Sequence, residues 1–193
     1  MTAVSLALLD QAELLQLALT AGHNNDSGAT LSYLKEAVSR PDASASAYFL
    51  LGSEYAEIRM YDRAVAAMEK SLLLDPSSAI VRLQLGLLLL SCGATKEATA
   101  TLQMLSTLDT GDPLAQFGSG LLHLIRDEFT SALDCFSQGM KQNTGNPTLN
   151  HNMQRISDAI KQLPPEVLAK NQNTGEETQA RHILLSAYTG VAH

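Results

Sequence analysis

Residues 48–76 read "YFLLGSEYAEIRMYDRAVAAMEKSLLLDP", and Gly52 is the residue that decides how they fold. The stretch has the apolar spacing of two short helices, yet a glycine inside a helix costs roughly 1 kcal/mol relative to alanine. The reason for keeping it is repeated downstream. A step of 34 residues carries Gly52 to Gly86 and Gly86 to Gly120, and the same step carries Ala64 to Ala98 and on to Ala132. Large residues hold the same register: Leu51 and Leu85 precede their glycines, while Met68, Leu102 and Phe136 each follow their alanine by four positions. Helix–turn–helix content at such a period marks a stacked array in which each unit covers its neighbour. Gly52 is expected to be small because another helix passes close to its backbone.

The punctuation keeps the same period. "SLLLDPSS", "LDTGDP" and "NTGNP" fall where one unit should end and the next begin. Asp112 and Asn146 are placed to cap helices whose first positions are Pro113 and Pro147, where a missing N–H costs nothing.

This order of small and large residues resembles the tetratricopeptide repeat. The unit 45–78 has Tyr48 at the consensus tryptophan, then Leu51, Gly52, Tyr55, Ala64, Met68, Ser71 at the second alanine and Pro76. The unit 79–112 keeps Leu85, Gly86, Gly93, Ala98 and Leu102 but departs at Arg82 and Thr110. The unit 113–146 keeps Gly120, Phe129, Ala132 and Phe136 and departs at Ser119 and Gly139, and a weaker unit 11–44 carries Leu17, Ala18, Thr30, Leu34 and Ala37. The resemblance implies an all-α fold, an α-solenoid of helix hairpins wound into a right-handed superhelix. Residues 147–163, with Leu149, Met153, Ile156, Ile160 and Leu163 on one stripe, read as a helix that closes the array of residues 1–163. Pro164 and Pro165 end it. A polar linker follows, and Ala180, Ile183, Leu184, Ala187 and Tyr188 share one face of a last amphipathic helix within 164–193. That helix is expected either to fill the array's own groove or to dock on a partner.

Composition narrows the function. The 193 residues carry a formal charge of −7 with 45% apolar residues and no tryptophan, so general attraction to nucleic acid or an anionic membrane is not expected. The N-terminal stretch lacks a basic residue before its short apolar run, and Asp10 and Glu13 interrupt it, so an amphipathic helix is expected there rather than a signal peptide. The apolar run "AIVRLQLGLLLLSC" contains Arg82 and is too short to span a membrane. Cys92 and Cys135 have no paired spacing and read as small core residues of a cytoplasmic protein.

Chemistry is not written into the chain. His23, His123, His151, His182 and His193 lack the spacing of a helical metal site, and "GSG" at 118–120 has no preceding strand that would make it a phosphate loop. Glu54, Glu57, Glu69 and Asp134 read as solvated helix faces. No cofactor, no metal and no catalytic residue is expected, and the chain reads as a non-enzyme.

Function then rests on surface. In tetratricopeptide folds the first helix of each unit lines the concave side. The resemblance assigns to that groove Phe49 and Ser53; Ile80, Leu83, Leu87 and Leu90; and Leu114, Phe117, Leu121 and Leu124. Those positions exclude the lysine and asparagine set that grips a terminal carboxylate in some family members. Such an apolar wall needs a cover, supplied either by another polypeptide or by the leucines themselves. The expected function is a peptide-binding adaptor or chaperone that holds an apolar segment of a partner protein, as analogy with small secretion chaperones suggests. The alternative is a scaffold subunit whose apolar faces are buried in a homodimer or larger assembly.

Overall fold

Gly52 sits where a second helix leaves no room for a side chain. The computed structural model describes residues 6–164, and among them every regular element is helical. A 3-10 turn, Leu6–Leu8, precedes α1 (Gln11–His23), α2 (Ser27–Ser39), α3 (Ala45–Glu57) and α4 (Tyr61–Leu74). Then follow α5 (Ala79–Ser91), α6 (Thr95–Gln103), a 3-10 segment Met104–Thr107, α7 (Pro113–Ile125), α8 (Phe129–Gln142) and α9 (Pro147–Lys161). The chain divides into two compact units, Met1–Val81 and Arg82–His193.

The small-residue ladder is physical. A Cβ on Gly52 would lie 2.8 Å from Met68 Cγ and 3.1 Å from the Ala64 carbonyl oxygen, so α3 and α4 touch backbone to backbone there. A Cβ on Gly86 would meet Leu102 Cδ2 at 2.5 Å, and one on Gly120 would meet Phe136 Cε1 at 2.5 Å. Each glycine therefore faces the large residue of its own hairpin, sixteen positions on. Ala64, Ala98 and Ala132 are fully buried. In the weak first unit Ala18, Thr30 and Leu34 take the corresponding places, all buried.

A second ladder lies in the turns. Asn25, Arg59, Gly93 and Asp127 have φ of 57°, 62°, 80° and 57°, and they too are 34 residues apart. The amide after each one donates five residues back: Asp26 to Ala21, Met60 to Tyr55, Ala94 to Leu89 and Glu128 to His123, at 2.8–3.0 Å. This left-handed closure satisfies carbonyls that the first helix of each hairpin would otherwise leave open. It recurs in the unit 11–44, which is therefore a full hairpin. Helices α4, α6 and α8 start directly from this turn with no side-chain cap. The helices that open a hairpin have one where the bond is described: Asp10 on Glu13, Ser44 on Ala47 and Asp112 on Leu114.

One hairpin departs from the pattern. The second helix of the unit 79–112 tightens to 3-10 geometry at Met104, and fully buried Leu105 stands where the other units have Ala37, Ser71 and Gly139. Gly118 in α7 receives it, since a Cβ there would lie 2.8 Å from Leu105 Cδ1. The "GSG" of α7 thus serves two contacts, Gly118 for Leu105 and Gly120 for Phe136.

Both ends of the described chain are tied down. Leu14, Ala37 and Ala47 form a buried cluster against which Leu6 and Leu9 pack. Arg40 holds that N-terminal turn by donating to the Leu6 carbonyl at 2.7 Å and to the Leu9 carbonyl, while pairing with Glu36 at 3.1 Å. At the other end Asn146 caps α9 with Pro147 at its start. Leu149, Met153, Ile156 and Ile160 are buried, and Leu163 is half-buried. Asn143 and Asn150 lock the α8–α9 corner through reciprocal bonds of 2.7 and 2.9 Å. The expected linker and last helix, with Ala180, Ile183, Leu184, Ala187 and Tyr188, lie outside the described residues.

Candidate functional site

The predicted groove wall divides into residues with open surface and residues without. Phe49, Ser53, Ile80 and Leu114 are half-buried. Leu83, Leu87, Phe117, Leu121 and Leu124 have 0% exposure and Leu90 3%, which corrects the expectation that they form a free wall. For Phe117 the reason is direct: a Cβ on Gly139 would lie 2.5 Å from its ring, so the ring fills the space between α7 and α8. Leu121 and Leu124 follow it at helical spacing on the same buried stripe. Helix α5 is apolar on nearly every side and correspondingly buried, with Leu83, Leu85, Leu87, Leu88, Leu89 and Leu90 all inaccessible.

A concave site does open between the hairpin 11–44 and helix α3. A pocket of 330 Å³ lies among the C-terminal half of α1, the start of α2 and the second half of α3. Leu19 and Leu50 supply its open apolar surface, with Ala18 and Leu34 lining it at only 2% and 1% exposure, while His23, Asn25, Thr30, Ser53, Glu54 and Glu57 supply polar groups. Its geometry follows from local folding. The left-handed turn at Asn25 folds α2 back on α1, and α3 packs against α2. Two of the hydroxyls are already engaged: Ser53 Oγ donates to the Phe49 carbonyl at 3.0 Å and Thr30 Oγ1 to the Asp26 carbonyl at 2.9 Å. Glu54 is different. Its Oε1 is buried and has no hydrogen-bond partner.

That oxygen corrects the reading of Glu54 as a solvated residue. Glu57, Glu69 and Asp134 are exposed as expected. Of the predicted groove only Ser53 belongs to the pocket, and its neighbours Leu50, Glu54 and Glu57 were hidden among ordinary helix-face letters. The signal that could have found them is the change from Leu87 and Leu121 to a small polar residue at the equivalent place, Ser53.

The remaining chemistry-bearing groups are scattered. His23 and His151 are exposed, and His123 Nδ1 pairs with Glu128 across the α7–α8 turn. His182 and His193 lie outside the described residues. Cys92 is exposed rather than in the core, while Cys135 is half-buried and its thiol is pushed up by burial and by the neighbouring Asp134 carboxylate. Burial also raises the Asp127 carboxyl above its ordinary 3.8. Among the described residues no three ligating side chains converge on a metal position, and no helix is long and apolar enough to cross a membrane.

Comparison with known proteins agrees with this architecture. A tetratricopeptide-repeat family model matches residues 59–117. No curated protein matches the chain. Among solved structures, MamA superposes with a TM-score of 0.58 at 23% identity, covering 69% of this chain and 78% of that one. MamA from Desulfovibrio magneticus RS-1, from residue 41 to its end, gives 0.58 at 16% identity over 96% of this chain and 99% of that one. YrrB, a tetratricopeptide-repeat protein with an unusual peptide-binding site, gives 0.57 at 19% identity over 93% and 87%. At these identities the likeness is one of fold.

Proposed function

We propose that this tetratricopeptide-repeat protein is a peptide-binding adaptor whose receiving surface is the concave pocket between the hairpin 11–44 and α3. The observation that carries the proposal is the pocket itself: three successive helices enclose 330 Å³ with apolar walls and polar groups on the same lining. That volume stands at the lower end of ligand sites, which run to about 300–1,000 Å³. It suits one or two side chains of an extended segment better than a large ligand. YrrB is one protein of this architecture with a peptide-binding site. The role is holding a partner polypeptide rather than transforming a substrate. A chaperone gripping a long apolar segment is a weaker reading, because six residues of its intended wall have no open surface.

A second reading, a subunit of a homo-oligomer, is favoured by two adjacent leucines at the end of α4, Leu73 at 70% and Leu74 at 47% exposure. One experiment separates the two. Ser53→Trp fills the pocket, and its retention of polypeptides from an extract is compared with that of the wild-type chain, with light scattering on both. The adaptor reading expects a monomer whose specific partners are lost in the variant at unchanged helicity. Equal retention by both proteins overturns it, and a concentration-independent oligomer points to the scaffold.

A further inference from the structure

We propose that residues 6–9 occupy, within their own chain, a docking site for a leucine-bearing turn of a partner polypeptide, and that Arg40 is its latch. The site lies at the start of α1 and the end of α2, opposite to the pocket, and does not depend on what the pocket binds. What it takes is visible in its present occupant. Leu6–Leu8 form one 3-10 turn, closed by the Leu9 amide donating to the Leu6 carbonyl at 3.2 Å, and three residues per turn bring Leu6 and Leu9 to the same side. Both are half-buried against the cluster of Leu14, Ala37 and Ala47, whereas Leu8 is 82% exposed. Arg40 adds the polar grip by donating to the Leu6 and Leu9 carbonyls. The surface thus reads two leucines three positions apart and a pair of main-chain carbonyls, which another polypeptide can present equally well.

The occupant can leave without undoing the hairpin behind it. Helix α1 carries a self-contained cap, in which Asp10 Oδ1 accepts from the Glu13 amide and Glu13 Oε2 from the Asp10 amide, both at 2.8 Å. Gln11 Nε2 ties α1 to α2 by donating to the Ala37 carbonyl at 2.7 Å, and Arg40 keeps Glu36 as a partner at 3.1 Å. None of these bonds uses residues 6–9. What departure uncovers is apolar, because Leu15, Tyr33 and Val38 are only partly buried beside the same cluster, so the vacated surface favours a replacement of like chemistry. A turn with leucines at the same spacing restores both the apolar cover and the carbonyls for Arg40. The chain's own turn is tethered beside the site and competes at a high effective concentration, so the site is held closed until a stronger turn arrives.

The test uses the full chain and a labelled, acetylated and amidated peptide with the sequence of residues 3–10, "AVSLALLD". Leu6→Asp combined with Leu9→Asp frees the site, and fluorescence anisotropy is expected to show this variant binding the peptide about tenfold tighter than the wild-type chain, whose own turn competes. A peptide with aspartate in place of the same two leucines should not bind. Adding Arg40→Gln to the double variant is expected to weaken binding about tenfold, and adding Arg40→Lys, which keeps the charge and loses the fork, by less. Leu6→Ala combined with Leu9→Ala brings no charge to the site and is expected to bind at an intermediate level even if the aspartates disturb folding. Loss of helicity in both double variants would make residues 6–9 part of the core and overturn the exchange. Binding no tighter in the folded variants than in the wild type overturns the site, and binding indifferent to Arg40→Gln overturns the latch. A wild-type chain that pairs with a second copy on concentration, and ceases to pair in the double variant, makes that copy the occupant and overturns the assignment to a partner. The adaptor reading falls separately, on partner retention that Ser53→Trp leaves unchanged.

Discussion

In the hairpin of residues 45–78 the ninth position is Ser53, half-buried beside an open pocket, whereas the ninth positions of the next two hairpins, Leu87 and Leu121, have no exposure. The fifth positions run in parallel: Phe49 is half-buried, Leu83 and Phe117 fully so. At the tenth, Glu54 corresponds to buried Leu88. The three hairpins share one glycine ladder and one turn ladder, so the scaffold is common and the faces are not. Hairpin closure depends on small residues between two helices, while availability to a partner depends on what the outer face carries.

The comparison breaks most visibly with charge. Leu121→Glu puts a carboxylate where there is no solvent, and it is expected to cost about 4 kcal/mol or more and unfold the hairpin of residues 113–146. Ser53→Glu, at the equivalent half-buried place, meets the Glu54 and Glu57 carboxylates but stays within reach of water, so its loss should be much smaller, about 1 kcal/mol. Thermal melts followed by circular dichroism decide it, and equal losses would mean that the two faces are equally closed.

A smaller contrast concerns the ladder. Gly120→Ala drives a methyl into the Phe136 ring, and a cost of about 1–3 kcal/mol is expected from overpacking. Gly52→Ala meets a flexible methionine rather than a ring, and both changes gain the same roughly 1 kcal/mol of helix propensity, so its net loss should be the lesser in denaturant titration. Reversed order would show that Ala64's carbonyl, not the large side chain, sets the limit.

The smallest effects lie in the turns. Arg59 is exposed and holds φ of 62°, a conformation that costs non-glycine residues about 1–2 kcal/mol, so Arg59→Gly should raise the melting temperature. Asp127→Asn keeps a residue that tolerates the left-handed turn and removes a charge that burial disfavours. The folded pKa of Asp127 is raised, so its ionised form weakens folding above that pKa. The penalty vanishes as pH falls below 3.8, where the carboxyl is protonated both folded and unfolded. The gain from Asp127→Asn should therefore be present at neutral pH and fade on acidification. A gain independent of pH would trace to the turn's backbone instead.

The scaffold could be read from letters because its signals are steric. A glycine in mid-helix at Gly52, Gly86 and Gly120 has few uses besides close approach, and its period exposed the hairpins. The capping residues Asp112 and Asn146 were legible for a similar reason: their side chains bond locally. The left-handed turns were only partly legible, since Gly93 announces one, Asn25 and Asp127 merely permit it, and Arg59 conceals it. The site was least legible. A leucine on an amphipathic helix is the same letter whether it faces solvent or a neighbour, so Leu87 and Leu121 could pass for surface. Glu54 could pass for a solvated acid, because the letter does not show whether one of its carboxylate oxygens is buried.

The matched pair of Leu105 and Gly118 has a consequence for the array as a set of modules. A copy of residues 45–78 spliced in place of 113–146 would present Leu50 where Gly118 stands, and two leucines would contend for one space. The repeats are therefore not interchangeable beads: any shuffled or shortened version of this chain must carry those two residues together, and the natural cut points fall elsewhere.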